Sequence, residues 1–316
     1  MNEVYNQSVF RNTKRENDLR TDRVDLHLHT WASDGKNSPG ELVRLAGREG
    51  LKAIAITDHD CIDGLRESLE VGKVGGVEVI PGIELSIQHK NFKDIHILGY
   101  YFDWEDPRLH EVLADFKQRR KERGKQILSK INSQLLREGR KPLNQHNVLE
   151  EARGTLGRLH IARKLVEDGH NNSTDEAFNR YLIPNNVPKA KLSPQEALQF
   201  IREFKGLSIL AHPNLISRSL QIQRSVIEEF KGWGLNGIEA IYPGCRWEDR
   251  QLYNFLSRSC HLVTTGGSDF HGNDSQMNLG MKEFYLHYRM VEALKELHQA
   301  FFGNIGLLRD IECLKS

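Results

Sequence analysis

The stretch Ala53-Ile54-Ala55-Ile56-Thr57-Asp58-His59-Asp60 joins a short apolar run to an abrupt polar end. A run of this kind, nearly continuous in apolar character, is typical of a strand that is buried on both faces of a parallel sheet. The polar end makes a poor core segment, because burying carboxylates and an imidazole without partners is costly. The stretch therefore predicts a buried strand that carries chemically active side chains at its carboxyl end.

The same pattern recurs along the chain. Short apolar runs followed by polar or glycine-rich residues predict seven strands, at residues 24–30, 53–57, 77–85, 95–102, 207–211, 237–242 and 262–265. Helix starts lie between some of these runs. Ser38-Pro39-Gly40-Glu41 and Ser193-Pro194-Gln195-Glu196 each place an N-cap, a proline and an acid ahead of apolar residues. Alternating strands and helices predict an α/β fold with a parallel sheet.

This alternation stops between about residues 104 and 190. Apolar residues there recur at helical spacing, first over residues 109–116 and then over 127–135. We therefore predict a helical insert that covers one end of the α/β domain. The predicted organisation is a polar lead-in at 1–22, a barrel domain made of 23–103 and 191–316, and the insert at 104–190.

Charge and composition exclude some functions. The 316 residues contain 44 Lys and Arg against 43 Asp and Glu, which excludes a strongly basic nucleic-acid-binding coat. A local basic run at residues 117–125 fits either a solvated helix face or a surface that binds a polyanionic substrate. No stretch approaches the roughly 20 apolar residues of a membrane span, so we expect no membrane partner.

Cysteine usage points to a reducing compartment. The cysteines are far apart and form no CxxC pair: Cys61, Cys245, Cys260 and Cys313. This pattern is typical of reduced thiols, so we expect a cytoplasmic protein. The sequence leaves the oligomeric state open.

The first predicted strand contains Asp25-Leu26-His27-Leu28-His29. Alternate residues of a strand share a face, so Asp25, His27 and His29 project to one side. Two imidazoles placed in this way can bind one cation, although a pair of hydrogen-bonded core histidines is the alternative.

Other predicted strands also end in, or contain, histidine or a carboxylate. These side chains are His59, Glu84, His96, His212, Asp269 and His271. The carboxyl ends of the strands in a closed α/β barrel converge on one mouth, which brings distant residues into one cavity. Imidazole and carboxylate ligands without thiolates suit manganese, zinc or iron. The sequence therefore predicts a clustered metal site.

These motifs, in this order, resemble the polymerase-and-histidinol-phosphatase (PHP) superfamily of metal-dependent phosphoesterases. The resemblance extends from Val24 to about Lys282 and implies a distorted, TIM-like (β/α)7 barrel, in agreement with the seven predicted strands. It implies two or three divalent cations, which we expect to be Mn²⁺, with Zn²⁺ or Fe²⁺ as alternatives. The implied ligands are His27, His29, Glu84 and Asp269 for one metal, Glu84, His96 and His212 for a second, and Asp34, His59 and His271 for a third.

No ligand of this set is missing, which argues against a non-catalytic relative. Asp25, Asp58 and Asp60 lie outside the set. We predict that they accept a hydrogen bond from a ligating imidazole and fix its tautomer, with purely structural hydrogen bonding as the alternative.

Two motifs of the insert resemble one branch of the superfamily, which hydrolyses nucleoside 3′,5′-bisphosphates and includes enzymes that trim short RNA from the 5′ end. The motifs are Gly157-Arg158-Leu159-His160-Ile161-Ala162-Arg163 and Pro188-Lys189-Ala190-Lys191-Leu192-Ser193-Pro194, with Leu159 where that branch carries proline. The candidates to bind a second phosphate are Arg158, His160, Arg163 and Lys189, since guanidinium pairs bidentately with phosphate oxygens. The alternative is that they are surface charges of an insert helix.

The resemblance thus implies a hydrolase that cleaves a phosphate monoester through hydroxide activated by the cations. The expected substrates are nucleoside 3′,5′-bisphosphates and the 5′ ends of short RNA. Histidinol phosphate and a cyclic ribose phosphate are alternative substrates of the same chemistry. A non-catalytic metal-binding module and a peptidase or amidohydrolase are the alternatives from other classes.

Overall fold

The computed structural model describes residues 22–151, 156–188, 192–272, 278–281 and 285–303. Its centre is one sheet of seven strands that follow one another in chain order. The strands are β1 (Val24–Leu28), β2 (Ala53–Ile56), β3 (Glu78–His89), β4 (Phe92–Tyr100), β5 (Leu207–Leu210), β6 (Gly237–Ile241) and β7 (Val263–Gly266). A bridge between Leu28 and Phe270 brings β1 beside the end of β7 and nearly closes the sheet into a barrel. The predicted distorted (β/α)7 barrel is therefore confirmed.

Helices follow most strands. They are α1 (Pro39–Arg48), α2 (Leu65–Gly75), α3 (Pro107–Arg137), α4 (Gln145–Glu151), α5 (Arg158–Glu167), α6 (Thr174–Ala177), α7 (Pro194–Glu203), α8 (Leu220–Gly232), α9 (Trp247–Ser259) and α10 (Arg289–Phe302). Ser38 and Ser193 form the capping boxes that start α1 and α7, as the sequence predicts. No helix among these described residues is long and apolar enough to cross a membrane.

Strand β4 distorts the barrel. It runs antiparallel to both β3 and β5, while the other neighbouring pairs are parallel. The prediction of a parallel sheet is wrong at this strand. Only Lys90 and Asn91 separate β3 from β4, and a hairpin of this length cannot make the long crossover that parallel strands require.

Strand β2 is buried on both faces, as predicted from its uniform apolar character. Ile54 and Ile56 belong to a hydrophobic cluster that includes residues of α1, α2 and α7 to α9. Ala53 and Ala55 belong to a second cluster, which α10 completes. With both faces covered, the functional groups of the strand lie at its carboxyl end.

The segment between β4 and β5 is helical, and it begins with a single helix of 31 residues, α3, where the sequence indicated two helical stretches. Leu109 and Leu113 of α3 join the barrel cluster, whereas Ile127 and Ile131 join a third cluster formed within the insert. One helix thus connects the two cores. The domain boundaries at 103/104 and 190/191 stay predictions, and the predicted lead-in lies almost wholly outside the described residues.

Candidate metal centre

The nine residues expected to bind metal converge at one mouth of the barrel, where the parallel strands have their carboxyl ends. His27 lies in β1, Glu84 in β3 and His96 in the antiparallel β4. The remaining residues lie in the segments that follow strand ends: His29, Asp34, His59, His212, Asp269 and His271. Residues separated by more than 240 positions in the sequence therefore face one another, as the barrel topology predicts.

The deepest group consists of His27, His29, Glu84 and Asp269, whose ligand atoms all lie within 4.8 Å of one another. Nε2 of His29 lies 3.1 Å from Oδ1 of Asp269 and 3.3 Å from Oε2 of Glu84. Nε2 of His27 lies 3.4 Å from each of the same two carboxylates. We call this group the inner site.

Glu84 also belongs to a second group. Its Oε1 lies 2.9 Å from Nδ1 of His96 and 3.2 Å from Nε2 of His212. Its Oε2 lies 2.9 Å from Nδ1 of His59. The two oxygens of one buried carboxylate thus face different sets of imidazoles, which is the arrangement of a ligand that bridges two cations.

A third group, called here the outer site, consists of Asp34, His59 and His271 together with His29. Oδ1 of Asp34 lies 3.3 Å from Nε2 of His271, and Oδ2 lies 3.9 Å from Nε2 of His59. The rings of His29 and His271 are stacked with centroids 4.1 Å apart. The outer site therefore shares His29 with the inner site and His59 with the second group.

The side chains themselves fit a group of cations. Several buried atoms of the centre that face one another have no hydrogen-bond partner among the described residues, namely Nε2 of His27, both ring nitrogens of His29, Nδ1 of His59 and Oε2 of Glu84. Buried polar atoms are rarely left without a partner in proteins. A group of such atoms around one space therefore indicates that cations bind there. Imidazole and carboxylate donors suit divalent cations such as manganese, zinc or iron.

The charges of the centre also favour cations. Burial alone would raise the pKa of Glu84, but the surrounding imidazoles, with His59 first, hold it well below its usual value. Burial opposes protonation of His29, yet Asp269 and Glu84 outweigh it and raise the pKa of His29 to about 10. The carboxylates are thus held ionised, and their negative charge attracts protons or metal ions to the same place.

The local backbone allows the ligands to meet. Asp269 and His212 have positive φ angles, 53° and 27°, which few residues other than glycine adopt. Gly267 lies against His27, and a Cβ atom at this glycine would come within 2.5 Å of the backbone nitrogen of His27. Only glycine therefore allows β7 to approach β1 this closely.

Sequence reasoning missed Glu239. This fully buried residue of β6 accepts a hydrogen bond from the backbone amide of His212 at 2.8 Å, and its other oxygen lies 3.0 Å from Nδ1 of His27. Because a carboxylate oxygen accepts, Nδ1 of His27 donates, and Nε2 is left to face the inner site. The available signal was a glutamate inside the apolar run 237–242, where a buried charge needs a partner.

The three aspartates predicted to orient imidazoles tie the backbone of the centre together. Asp25 accepts from the amides of Ser268 and Gly280, and Asp58 accepts from the amide and hydroxyl of Thr30. Asp60 accepts from the amide of Ser86 at 3.1 Å. The predicted contact of these three aspartates with a ligating imidazole stays a prediction. The carboxylate of Glu239 makes a contact of this kind with His27.

A cavity of about 740 Å³ opens beside the centre, and Asp34, His59 and His96 form part of its wall. Arg120, Arg123 and Arg158 also line it, as does the ring of Phe178.

The four residues predicted to bind a second phosphate are placed differently. Arg158 lines the cavity. His160 and Arg163 are buried: Nδ1 of His160 accepts from the amide of Gly157, and Arg163 donates to the carbonyl of Asp34. Lys189 lies outside the described residues. Sequence reasoning did not single out Arg120 within the basic run 117–125. This residue lines the cavity and also donates to the carbonyl of His59 in the centre.

Comparison with known proteins identifies the family of this chain. Residues 25–209 match the family described as PHP domain. A 5′-3′ exoribonuclease of Haemophilus influenzae is 33% identical over 263 residues, which cover 82% of this chain and 94% of that protein. A 3′,5′-nucleoside bisphosphate phosphatase of Chromobacterium violaceum is 26% identical over 254 residues, 78% of this chain and 87% of that protein.

A solved structure shows the same fold. It is that of a predicted metal-dependent phosphoesterase from Bifidobacterium adolescentis, and it superposes with a TM-score of 0.75 at 26% identity over 86% of this chain and 94% of that one. The family match, the relatives and the convergent ligands lead to one assignment. The chain belongs to the PHP domain family, and it is a metal-dependent phosphoesterase, a hydrolase of phosphoester bonds.

Proposed function

We propose that the centre holds three divalent cations and that the protein removes a phosphate from nucleoside 3′,5′-bisphosphates, with the 5′ ends of short RNA as further substrates. The observation that carries this proposal is the position of the cavity. Its wall combines metal-binding residues with three arginines and an aromatic ring. A nucleotide with two phosphates needs these same features: a reaction centre, cationic groups for a distant phosphate, and an apolar surface for a base.

We assign the residues of each cation site with the support of the three groups. His27, His29, Glu84 and Asp269 would hold the first cation; Glu84, His96 and His212 the second; and Asp34, His59 and His271 the third. Cations bound there would supply Lewis acidity and lower the pKa of an attacking water. Mn²⁺ suits these nitrogen and oxygen donors, and Zn²⁺ and Fe²⁺ suit them as well.

We assign the two phosphates of the substrate to two different arginines. Arg120 stands between the centre and the cavity: it donates to the carbonyl of His59 at 2.9 Å, and its guanidinium lies 3.6 Å from Asp34. It is placed to neutralise charge on a phosphate held at the centre. We assign binding of the second phosphate to Arg158, which lines the same cavity and whose guanidinium lies 5.6 Å from the ring of Phe178.

Phe178 is placed to stack against a nucleobase. It lines the cavity and begins a π-helical turn, Phe178–Leu182, a feature that is frequent at functional sites. Stacking of a base on an aromatic ring is sequence-tolerant and is worth about 1–3 kcal/mol. It would support substrates with any of the bases, as trimming of RNA requires.

We also propose a cytoplasmic location. The free thiols of Cys61, Cys245 and Cys260 support it, because secreted proteins tend to pair their cysteines.

A substrate panel tests the proposed function. Phosphate release is measured with Mn²⁺ from adenosine 3′,5′-bisphosphate, a short 5′-phosphorylated RNA, histidinol phosphate and a cyclic ribose phosphate. We expect the highest kcat/KM with the bisphosphate and measurable release from RNA. Preferred turnover of histidinol phosphate or the cyclic ester would contradict the substrate assignment.

Two variants test the centre itself. His59→Ala removes an imidazole from the ligand groups and Asp269→Asn replaces a carboxylate with a neutral amide, so we expect lower metal content and loss of phosphate release. Glu228→Gln, a change at an exposed position of α8 that pairs with Arg224 of the same helix, serves as the control. Full activity with normal metal content in both variants would end the assignment of the centre.

A further inference from the structure

The inner and outer sites differ in how many of their residues belong to strands. His27 and Glu84 of the inner site belong to β1 and β3, so the hydrogen bonds of the sheet fix their backbones, while His29 and Asp269 follow strand ends. The outer site takes Asp34, His59 and His271 from loops after strands, and of these His59 keeps a backbone bridge to Glu84. The relative positions of these three loops therefore affect the dimensions of the outer site.

The helical insert contacts all three loops through two arginines. Arg163 of α5 donates from Nη1 to the carbonyl of Asp34 at 3.1 Å and from Nη2 to the carbonyl of His271 at 3.5 Å. Arg120 of α3 donates to the carbonyl of His59 at 2.9 Å. The insert, which is remote in sequence from all three ligands, thus holds the backbone of each of them.

Arg163 has the character of a positioning residue. Its side chain is 8% exposed, and it does not belong to the described wall of the cavity. It contacts the ligands through their carbonyl oxygens and so leaves the coordinating atoms unobstructed. The amide of Lys36 also donates to the carbonyl of His271, at 2.8 Å. The loop of Asp34 and Lys36 therefore shares one backbone hydrogen bond with the loop of His271, and the guanidinium of Arg163 joins both loops to the insert.

From this geometry we propose that Arg163 positions the outer site and couples docking of the insert to cation binding there. The inference rests on the three-cation centre proposed above. A cation coordinated by Asp34 and His271 would fix the two carbonyls that Arg163 bonds, and a docked Arg163 would fix the two ligands. Coupling of this kind is reciprocal, so each event must favour the other by the same factor.

Arg163 gives a cleaner test than Arg120. Arg120 lines the cavity, and its charge lies 3.6 Å from the carboxylates of both Asp34 and Asp60. Its removal would therefore change substrate contacts and the charge of the outer site together. Arg163 bonds two carbonyls and lies outside the described wall of the cavity, so its replacement tests the positioning effect without removing a group from that wall.

The first experiment titrates Mn²⁺ into metal-free protein by calorimetry. Asp34→Ala identifies the binding step that belongs to the outer site. For Arg163→Met we expect that step to weaken by roughly 10–100-fold, the usual effect of losing a group that orients a ligand, while the other steps keep their affinities. Arg163→Lys, which retains a charged donor, should fall between the wild type and Arg163→Met.

Arg180→Met is the matched control. Arg180 is another arginine of the insert, and it pairs with Glu138 within the insert at 2.9 Å. We expect wild-type Mn²⁺ binding from this variant. Thermal melting of the metal-free proteins shows whether each variant folds, and Arg163→Lys keeps the test available if Arg163→Met does not.

The second experiment measures hydrogen exchange in α5 (Arg158–Glu167) with and without Mn²⁺. We expect Mn²⁺ to slow exchange there in the wild type and in Arg180→Met, but not in Asp34→Ala or Arg163→Met. Unchanged affinity at the outer step in Arg163→Met, or equal protection of α5 in Asp34→Ala, would overturn the coupling. If Asp34→Ala removes no binding step from the wild-type titration, the three-cation centre itself fails, and the coupling fails with it.

Discussion

Nδ1 of His27 lies 3.0 Å from Oε1 of Glu239, and both side chains are buried. The contact joins β1 to β6 across the barrel, and the second oxygen of Glu239 accepts from the amide of His212. One carboxylate therefore orients a ligand of the inner site and fixes the backbone of a ligand in the second group. It also determines the tautomer of His27, since the donating nitrogen cannot coordinate a cation.

Glu239→Gln should weaken Mn²⁺ binding at the inner site by roughly 10–100-fold, because the amide replaces one acceptor oxygen with a donor and removes a charge. Titration of the metal-free variant checks this expectation. Glu228→Gln, the same substitution at an exposed position of α8, should leave Mn²⁺ binding unchanged. Equal affinities in the wild type and Glu239→Gln would show that His27 needs no such partner.

Arg158→Met should separate the two phosphates of the substrate. We expect KM for a nucleoside 3′,5′-bisphosphate to rise by roughly 10–100-fold, the range for loss of a charged hydrogen bond. The KM for p-nitrophenyl phosphate, which has only one phosphate, should stay near its wild-type value. Steady-state kinetics on both esters provide the measurement, with Arg180→Met as the control. Parallel losses on both esters would place Arg158 at the reacting phosphate instead.

Gly267→Ala should destabilise the protein, because the added methyl group would collide with the backbone of His27. Overpacking of this kind typically costs about 1–3 kcal/mol, and here it also separates β7 from β1. The free energy of unfolding in urea is the measurement, and Mn²⁺ affinity should fall with it. Gly232→Ala is the matched control: the space around Gly232 is open, so the added methyl group should be neutral or slightly stabilising. Equal stability of both variants would contradict the close approach at Gly267.

Asp249 should make stability depend on pH in the acid range. Burial opposes its ionisation, but hydrogen bonds from Arg246, Gln223 and Asn214 outweigh burial and lower its pKa below the usual 3.8. A carboxyl group whose pKa is lower in the folded than in the unfolded state stabilises the fold above its unfolded pKa. That contribution is then lost as the pH falls below about 4.

Asp249→Asn should accordingly lower the free energy of unfolding at pH 7 by about 2–3 kcal/mol and flatten its dependence on pH below 4. Urea unfolding between pH 3 and 7 measures both effects. Asp115→Asn alters an exposed ion pair with Arg119, so it should change stability by less than about 1 kcal/mol. An acid profile of Asp249→Asn that follows the wild type would exclude Asp249 as its source.

The strands were predictable because each one produces a local pattern. β2 is apolar at every position since both its faces are covered, and a polar segment starts where the burial ends. The direction of β4 was harder to predict, because it depends on the two-residue connection at Lys90 and Asn91 and not on the composition of either strand. A strand can be read from its own residues, whereas its orientation depends on its connections.

In the candidate site, too, some residues could be predicted from local sequence and others could not. Eight of the nine ligand candidates lie in or just after apolar runs that predict strands, whereas Asp34 could be named only from the resemblance to the PHP superfamily. Arg120 could not be named, because it lies in a basic run in which Lys117 pairs with Asp63 and Arg119 with Asp115. The charges of this run look alike in sequence, and only the rotation of the helix against the barrel turns Arg120 towards the centre.

Helix α3 continues without a break from Leu109 in the barrel core to Leu135 in the insert core. At 1.5 Å per residue it is a rod of roughly 45 Å that is anchored at both ends. Arg120 lies between the two anchored ends of this rod and donates to the carbonyl of His59. Because an α-helix moves largely as one body, a tilt of the insert would carry the guanidinium of Arg120 with it, so α3 is the element through which a displacement of the insert would reach the barrel.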